Sequence, residues 1–404
     1  MKKVWDKWTR IALVKRILVG LILGAILGIA VPQATGIAIL GDVFVSALKA
    51  IAPLLVFFLV ISSLCNAGKS HGGVIKTVII LYMFSTVLAA VIAVFASMAF
   101  PVKMTLANAA TDTSAPQGIV EVLNNLLLNV VANPVSSLVN ANYVGILMWA
   151  VLLGLAFRAA DKMTKKVLAD VADGISMVVT WIINLAPFGI FGLVFNTVST
   201  NGLDIFTTYG KLLLLLVGCM LFIYFVTNPL LVYWCIRQNP YPLIFHCLKR
   251  SALTAFFTRS SAANIPVNMK VCEEMGLDRD TYSVTIPLGA TINMDGAAIT
   301  ITVMTMATAF TLGIHVDIPT AIILSLLAAL SACGASGVAG GSLLLIPMAC
   351  SLFGISDDIS MQVVAVGFII GVVQDSVETA LNSSSDLLLS ASAEFRQWRR
   401  EGKE

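Results

Sequence analysis

The sequence predicts an all-α protein that crosses a membrane several times. The chain has 404 residues, of which 58% are hydrophobic and 12% are charged, whereas a soluble globular domain carries about 25% charged residues. Long apolar stretches recur along the chain, and basic residues cluster in every second connection between them. This composition argues against a soluble enzyme, a disordered protein and a nucleic-acid-binding protein, and the net charge of +3 is too small to indicate a polyanionic partner.

Eight stretches are candidate membrane spans, because a helix needs about 20 apolar residues to cross the hydrocarbon core. The predicted spans are residues 11–31, 43–65, 74–100, 119–157, 167–198, 210–236, 281–312 and 361–392. Asn133-Pro134 interrupts the fourth span, which can therefore contain more than one helix. The first span follows several basic residues but lacks a convincing cleavage site, so we expect a retained helix rather than a signal peptide.

The lysines and arginines predict how these spans are oriented. They follow the second, fourth, sixth and eighth spans, as Lys69 and Lys76, then Arg158, Lys162, Lys165 and Lys166, then Arg237, Lys249 and Arg250, then Arg396, Arg399, Arg400 and Lys403. The remaining connections hold little basic charge beyond Lys103 and Lys211. Because cytoplasmic loops are the basic ones, we expect every second loop and both termini to face the cytoplasm.

Two further apolar segments are predicted to enter and leave the membrane by the same face. Residues 318–356 lie between acidic flanks, and the glycine-rich stretch 334–341 divides them into two arms. Each arm reaches about 22 Å at 1.5 Å per residue, which is too short for a core of ~30 Å. Residues 241–270, with a tip at 258–266, repeat this pattern between basic flanks. A single kinked span is the alternative for 318–356, but opposed hairpins preserve the charge alternation and suggest an inverted repeat around a midplane transport site.

Acidic residues inside the predicted spans are the strongest functional signal. Asp295 lies in the seventh span, and Asp375, Glu378 and Asp386 lie in the eighth. A carboxylate at the membrane centre costs about 2.5–3.5 kcal/mol, and Arg259 in the first tip is the one deep basic residue that the pattern offers. We therefore expect bound cations or protons to balance the remaining charge. A polar seam that only joins helices is the alternative, although such seams usually use Ser, Thr and Asn.

The spacing of polar residues suggests how these groups bind ligands. One helical stripe of the eighth span comprises Asp375, Glu378, Thr379, Asn382 and Asp386. In the seventh span, Asn293 and Asp295 precede Gly296, where we expect the helix to loosen and free carbonyl oxygens for small cations. Helix ends at the hairpin tips suit the carboxylate of an amino acid, and Asp375 suits its ammonium group.

Other chemistries have weaker support. The seven cysteines and three histidines are scattered without a CxxC or a Cys/His cluster, so we expect buried thiols, no zinc site and no cofactor. Gly334–Gly337 spells the G-x-S-G of intramembrane serine proteases, but no histidine follows His315 to act as a base. An uncoupled cation channel is a further alternative, because the acidic stripe could line an ion path.

Several motifs together resemble those of the dicarboxylate/amino acid:cation symporters, the glutamate-transporter family. They are TRSSAANIP (258–266), PLGATINMDGAA (287–298), the glycine-rich second tip and DSVETALNSSSD (375–386). The resemblance covers nearly the whole chain and is greatest to the bacterial serine/threonine:sodium branch. It implies eight transmembrane helices and two re-entrant hairpins, assembled as a homotrimer in the bacterial inner membrane.

The resemblance also implies a division of labour along the chain. Residues 1–240 would form mainly the scaffold and trimer contacts, with helices three and six joining the transport domain. Residues 241–395 would form the core transport domain, which slides like an elevator, and residues 396–404 would form a cytoplasmic tail.

Site residues follow from the same resemblance. Substrate contacts would come from Arg259, Ser260, Ser261, Val338, Ala339, Gly340, Gly341, Ser342, Asp375, Glu378, Thr379 and Asn382. One sodium ion would bind backbone groups of Gly289, Asn293 and Asn382 and the Asp386 carboxylate. A second would bind near Thr291 and carbonyls of the second hairpin, and a third would bind Asn293, Asp295, Tyr82, Ser85 and Thr86.

Departures from the family pattern bear on the substrate. Family members with acidic substrates carry arginine and threonine where this chain has Glu378 and Ala297. Because an acid at position 378 would repel a glutamate side chain, we expect sodium-coupled import of serine, threonine or a similar small neutral amino acid. A sodium- or proton-coupled carrier of acidic amino acids or dicarboxylates is the alternative. We also expect Glu378 to pair with Arg259, and Ala339 replaces a proline common in the second tip.

Overall fold

The computed structural model describes residues 11, 13–66, 73–106, 128, 131–203, 205–335 and 340–402. Every regular element in these ranges is helical, as the sequence predicts. The first seven helices are α1 (Leu13–Ala30), α2 (Ile39–Asn66), α3 (Gly73–Ala99), α4 (Pro134–Val139), α5 (Tyr143–Ala156), α6 (Lys162–Asn184) and α7 (Ala186–Asn201). The next five are α8 (Ile205–Phe222), α9 (Asn228–Ile236), α10 (Tyr241–Cys247), α11 (Leu253–Thr258) and α12 (Ser261–Glu274). The last five are α13 (Arg279–Ile292), α14 (Asp295–Thr311), α15 (Ile318–Ala332), α16 (Ile346–Ser351) and α17 (Asp357–Glu401).

Six helical stretches in the described ranges are long and apolar enough to cross a membrane. They are Thr35–Asn66, Gly73–Ala99, Lys162–Asn184, Phe206–Ile236, Arg279–Thr311 and Asp357–Glu401. Shorter apolar helices cover Gly145–Ala159, Ala186–Thr200, Ile318–Ala332 and Gly341–Ser351. This set of long and short apolar helices is that of a membrane protein with several spans.

Two predicted spans have different helix bounds in the structure. The prediction of one continuous span over 167–198 is wrong, because α6 ends at Asn184 and α7 begins at Ala186. Pro187 lies in the first turn of α7, a position that proline tolerates at a helix start but not in a helix interior. The fourth span does contain more than one helix, namely α4 and α5. Asn133 caps the start of α4 by accepting the backbone N–H of Val135 at 2.9 Å. Residues 119–127, 129 and 130 of that span lie outside the described ranges.

The helices α1, α2, α5, α6 and α7 pack on one another as a first group. Three glycines at four-residue spacing let α1 approach α7 closely. A Cβ atom on Gly20 would lie 2.2 Å from the carbonyl oxygen of Pro187, and one on Gly24 would lie 2.6 Å from that of Phe191. Gly28 continues the row. Small residues at this spacing are typical of helix pairs in membranes.

The second group is built around α17, whose middle is buried from Ile359 to Glu394 with few exceptions. It packs against α9, α11, α12, α13, α14 and α16, while α3 packs against α14. Two helical hairpins belong to this group. The first rises through α10, a π turn at Leu248–Ala252 and α11, and returns through α12. The second rises through α15 and returns through a 3₁₀ turn at Gly341–Leu345 and α16.

Candidate functional site

The helix break between α13 and α14 lies beside α17. Asn293 (φ −96°, ψ 81°) and Met294 (φ −121°, ψ 48°) leave the helical conformation. We expected the helix to loosen at Gly296, and that position is wrong, because α14 already begins at Asp295. Gly296 instead permits close packing, since a Cβ atom there would lie 2.9 Å from the Cα of Glu378.

One acidic centre forms where α3 meets the start of α14. The Asp295 carboxylate accepts the hydroxyl of Ser85 at 2.7 Å and the hydroxyl of Thr86 at 3.2 Å. Thr86 also accepts the backbone N–H of Met294 at 3.2 Å, which ties α3 to the helix break. Asp295 is fully buried and forms no ion pair within the described ranges.

A second acidic centre forms at Asp386 on α17. Its carboxylate accepts the side-chain amide of Asn293 at 2.9 Å, and the Asn293 amide oxygen is buried without a hydrogen-bond partner among the described residues. Gly289 leaves room for this contact, because a Cβ atom on it would lie 2.7 Å from an Asp386 oxygen. Asp386, like Asp295, has no basic partner in the described part of the chain.

Three further predicted cation ligands have hydrogen bonds in the structure. Tyr82, which we expected at the Asp295 site, donates its hydroxyl to the Asp386 carbonyl at 2.9 Å and so contacts the second acidic centre. The Thr291 hydroxyl donates to the Leu288 carbonyl inside its own helix, at 2.8 Å. The Asn382 side-chain oxygen accepts the backbone N–H of Gly296 at 2.7 Å, and its own carbonyl accepts from the Asn293 amide at 3.3 Å.

The two hairpin tips meet at Asp375. One of its carboxylate oxygens accepts the Nε–H of Arg259 at 2.6 Å, and the other accepts the backbone N–H of Gly340 at 3.0 Å. Both tip residues have left-handed backbone conformations, with φ of 52° at Arg259 and 74° at Gly340. The ion pair is buried, because the exposed fractions of the two side chains are 9% and 4%.

The predicted pairing of Glu378 with Arg259 is wrong. Arg259 contacts Asp375, and one oxygen of Glu378 accepts three uncharged donors instead. These are the hydroxyls of Thr300 and Ser342, at 2.7 and 2.9 Å, and the side-chain amide of Gln374, at 2.5 Å. Arg259 does not pair with Glu378, because its guanidinium donates to Asp375. The Glu378 carboxylate instead contacts α14 and the second hairpin.

The other predicted substrate contacts lie at or near these tips. Ser260 caps α12 by accepting the backbone N–H of Ala263 at 3.2 Å, and Ser261 is buried in the first turn of that helix. Gly341 is buried at the start of the second hairpin's return arm, and Thr379 is buried on α17. Val338 and Ala339, together with Ser336 and Gly337 of the protease-like motif, lie outside the described residues.

Sequence reasoning missed Gln374 and Thr300. Gln374 precedes Glu378 by four residues on α17, a spacing that places two side chains on one helix face and could have indicated the contact. The contact of Thr300 with Glu378 depends on how α14 packs against α17, so no local sequence pattern predicts it.

The site contains groups that can hold alkali cations. Asp295 and Asp386 are buried carboxylates surrounded by hydroxyl, amide and carbonyl oxygens, and Asn293 adds a buried acceptor without a partner. Hard cations prefer such oxygen ligands. The described residues contain no group of three or more His, Cys, Asp or Glu side chains that could hold a metal ion.

Comparison with known proteins identifies the family. Residues 13–394 match the model of the sodium:dicarboxylate symporter family. The serine/threonine transporter SstT of Bifidobacterium adolescentis is 57% identical over 405 residues, which cover 100% of this chain and 94% of that protein. The serine/threonine transporters SstT of two Streptococcus thermophilus strains are each 55% identical over 401 residues, or 99% of this chain and 100% of those proteins. The chain therefore belongs to the sodium:dicarboxylate symporter family.

Proposed function

We propose that this chain is a secondary active transporter that imports serine and threonine together with sodium ions. The observation that carries the proposal is the position of Asp375, whose two oxygens contact the tips of both hairpins. The family membership and the names of the relatives support the same substrates. The chain is then a symporter and not an enzyme.

A zwitterionic amino acid suits the chemistry of the two tips. Backbone N–H groups at the N-terminal end of α12, which starts at Ser261, can receive the substrate carboxylate. Asp375 can receive the ammonium group, with Arg259 balancing its charge when no ammonium is bound. The proposed substrate contacts remain Arg259, Ser260, Ser261, Val338, Ala339, Gly340, Gly341, Ser342, Asp375, Glu378, Thr379 and Asn382.

Glu378 is the proposed determinant of the neutral side chain. It is buried, and its hydrogen bonds within the described residues come from uncharged donors. A second carboxylate brought close to an ionised Glu378 would meet like-charge repulsion in a site of low dielectric. The hydroxyl of serine or threonine can instead donate to it, which favours these substrates over glutamate and aspartate.

Sodium ions would balance the negative charges of Asp295 and Asp386, which have no basic partner among the described residues. The first would bind Asp386 with Gly289, Asn293, Asn382 and the Tyr82 hydroxyl, which contacts the Asp386 carbonyl. The second would bind near Thr291 and the second hairpin, and the third would bind Asp295 with Asn293, Ser85 and Thr86. Each positive charge moved inward gains about 2.3 kcal/mol per 100 mV of membrane potential, so coupled sodium can concentrate a neutral zwitterion.

The proposed architecture is the one that the family resemblance implies. Eight helices cross the bacterial inner membrane, the two hairpins enter it from opposite faces, and both termini lie in the cytoplasm. Residues 241–395 form the core of a transport domain that α3 and the helices from Ile205 to Ile236 join. The remaining part of 1–240 forms a scaffold at the centre of a homotrimer, and residues 396–404 form a cytoplasmic tail.

Uptake into proteoliposomes tests the proposed function directly. Labelled serine and threonine are offered to the purified protein under an inward gradient of sodium, potassium or choline. We expect concentrative uptake with sodium alone, and competition by unlabelled serine and threonine. Equal uptake in all three salts would contradict symport and would favour an uncoupled pathway.

A carrier for acidic amino acids is the second candidate, because Arg259 places a guanidinium at the proposed substrate site. The present pairing with Asp375 opposes it, since Arg259 is already engaged. Competition of labelled serine uptake by glutamate and aspartate separates the two candidates. We expect no competition at concentrations at which threonine competes fully.

A further inference from the structure

Asn228 is a buried polar residue that the site described so far does not include. It is the first residue of α9 and directly follows a π turn at Ile223–Thr227. Its exposed fraction is 0%. A π turn inserts one extra residue into a helix and is frequent at functional sites, so the position of this amide within the helix bundle is unusual.

The amide of Asn228 lies next to the Asp295 centre. Its Oδ1 is 3.5 Å from the hydroxyl oxygen of Ser85, and the same hydroxyl donates to Asp295 at 2.7 Å. A hydroxyl has a single proton to donate. Ser85 gives this proton to the much closer Asp295. The Asn228 oxygen therefore lies beside the Ser85 oxygen without a proton between them.

The nitrogen end of the amide differs from the oxygen end, whose neighbour is the distant Ser85 hydroxyl. Nδ2 of Asn228 is buried and contacts no acceptor among the described residues. Burying an amide without its hydrogen bonds costs roughly 1–3 kcal/mol, so a side chain that only joined helices would be expected to use both ends. A cation cannot accept a hydrogen bond from Nδ2, so the amide oxygen beside Ser85 is the group of Asn228 that can bind one.

We propose that Asn228 supplies its amide oxygen to a sodium ion bound at Asp295. The oxygens of Asp295, Ser85, Thr86 and Asn228 then form a hard ligand set drawn from α3, α9 and α14. The cation gives the Asn228 oxygen an electrostatic partner that the Ser85 hydroxyl does not provide. This inference rests on the proposed function, and it assigns to one centre a ligand from a helix that the sequence motifs do not cover.

The experiment compares substitutions at Asn228 with a substitution at the preceding residue, Thr227, which ends the π turn. Asn228→Ala removes the oxygen, Asn228→Leu removes it while keeping most of the volume, and Asn228→Asp keeps it. Thr227→Val is the control, because Thr227 is also buried and directly precedes Asn228. Each purified variant is titrated with sodium chloride at constant ionic strength, and both its melting temperature and its serine uptake are measured.

We expect Asn228→Ala and Asn228→Leu to raise the sodium concentration for half-maximal stabilisation and half-maximal uptake by about tenfold or more, equivalent to a loss of about 1.4 kcal/mol or more. In choline, Asn228→Leu should melt at or above the wild-type temperature, because it removes a buried amide nitrogen without a partner among the described residues. Asn228→Asp keeps an oxygen and adds negative charge, so it should not weaken sodium binding, and Thr227→Val should keep sodium dependence near the wild-type value.

Each other outcome has a defined meaning. Wild-type sodium dependence in Asn228→Ala or Asn228→Leu overturns the inference and leaves the proposed symport intact. An equal shift in Thr227→Val also overturns it, because the effect would then arise from the π turn. If the wild type itself shows no response to sodium, the proposed function fails before the inference is tested.

Discussion

The Asp375 carboxylate contacts the tips of both hairpins. One oxygen contacts Arg259 of the first tip, and the other contacts the Gly340 N–H of the second. If Asp375 binds the substrate ammonium group as proposed, substrate binding and hairpin closure depend on the same carboxylate. Removing it would leave a buried guanidinium without its partner, a change that typically costs 3–5 kcal/mol.

We expect Asp375→Ala to lower the affinity for serine at least about 100-fold, a loss of roughly 2.7 kcal/mol. Equilibrium binding of labelled serine to the purified protein measures this. Ser376→Ala is the matched control, because the Ser376 hydroxyl donates to the Val372 carbonyl of its own helix. Normal serine binding by Asp375→Ala would contradict the role proposed for this residue.

Asp386 is expected to act on sodium and not on serine directly. Its carboxylate contacts the Asn293 amide, beside the partnerless Asn293 oxygen. Asp386→Asn removes the negative charge at nearly the same size, so the sodium concentration for half-maximal serine uptake should rise about tenfold or more.

Sodium titration of uptake in proteoliposomes checks this expectation. Ser384→Ala serves as the control, since the Ser384 hydroxyl donates to the Ala380 carbonyl within α17. An unchanged sodium dependence in Asp386→Asn would remove Asp386 from the cation site.

Residue types and their spacing predicted most residues of the site, but not which side chains contact one another. Asp295, Asp375, Glu378 and Asp386 stand out because carboxylates are costly in apolar spans. Whether Arg259 pairs with Asp375 or Glu378 depends on how a hairpin tip meets α17, and a single sequence does not encode that contact locally. The contact between Asn228 and Ser85 joins residues 143 positions apart, so it was missed for the same reason.

At the level of helices, the site depends on close packing of α14 against α17. Gly296 is the contact point, with a hypothetical Cβ at 2.9 Å from the Glu378 Cα and 3.0 Å from its carbonyl oxygen. Backbone atoms cannot move aside as a flexible side chain can. A methyl group at this position must therefore separate the two helices that hold Asp295 and Glu378.

We expect Gly296→Ala to abolish serine uptake and to destabilise the protein by roughly 1–3 kcal/mol, the usual range for overpacking. Gly371→Ala is the control, because a Cβ atom on Gly371 of α17 would meet nothing within 4 Å. Uptake assays and thermal unfolding measure the two effects. Full activity in Gly296→Ala would show that the helices have room that the structure does not indicate.

Helix existence followed from the sequence more readily than helix ends. Apolar length predicted the long helices, and the glycine-rich stretch 334–341 and the short arms predicted the hairpins. The split between α6 and α7 at Leu185 was not predicted, although Pro187 in the sequence marks a helix start. The helix break before α14 was predicted at Gly296, one residue past the observed start of α14 at Asp295, where a contact across the fold, the Thr86 hydroxyl that accepts from Met294, helps to set the boundary.

At the scale of the whole molecule, one ion-pair cluster joins the proposed scaffold to the proposed transport domain. Lys49 on α2 lies 3.0 Å from Asp357 and 2.7 Å from Asp358, at the start of α17. If the domains slide past each other, this cluster breaks during each cycle. It therefore stabilises the arrangement seen here over others.

We expect Lys49→Gln to lower the population of this arrangement up to about fivefold, because a partly exposed ion pair contributes at most about 1 kcal/mol. Lys49→Arg, which keeps the charge, is the control. The population can be followed by distance measurements between spin labels on α2 and α17. An identical distance distribution in Lys49→Gln would exclude a role for the cluster in this equilibrium.

Charge balance links these scales. Asp295 and Asp386 are buried, have no basic partner in the described ranges, and lie beside oxygens suited to hard cations. We attribute their neutralisation to sodium, which in turn would stabilise the hairpins around serine. The decisive measurement is equilibrium binding of labelled serine to purified protein, in sodium or in choline at equal ionic strength. We expect serine binding to weaken at least about 100-fold when choline replaces sodium, whereas equal binding in the two salts would show that sodium is not required.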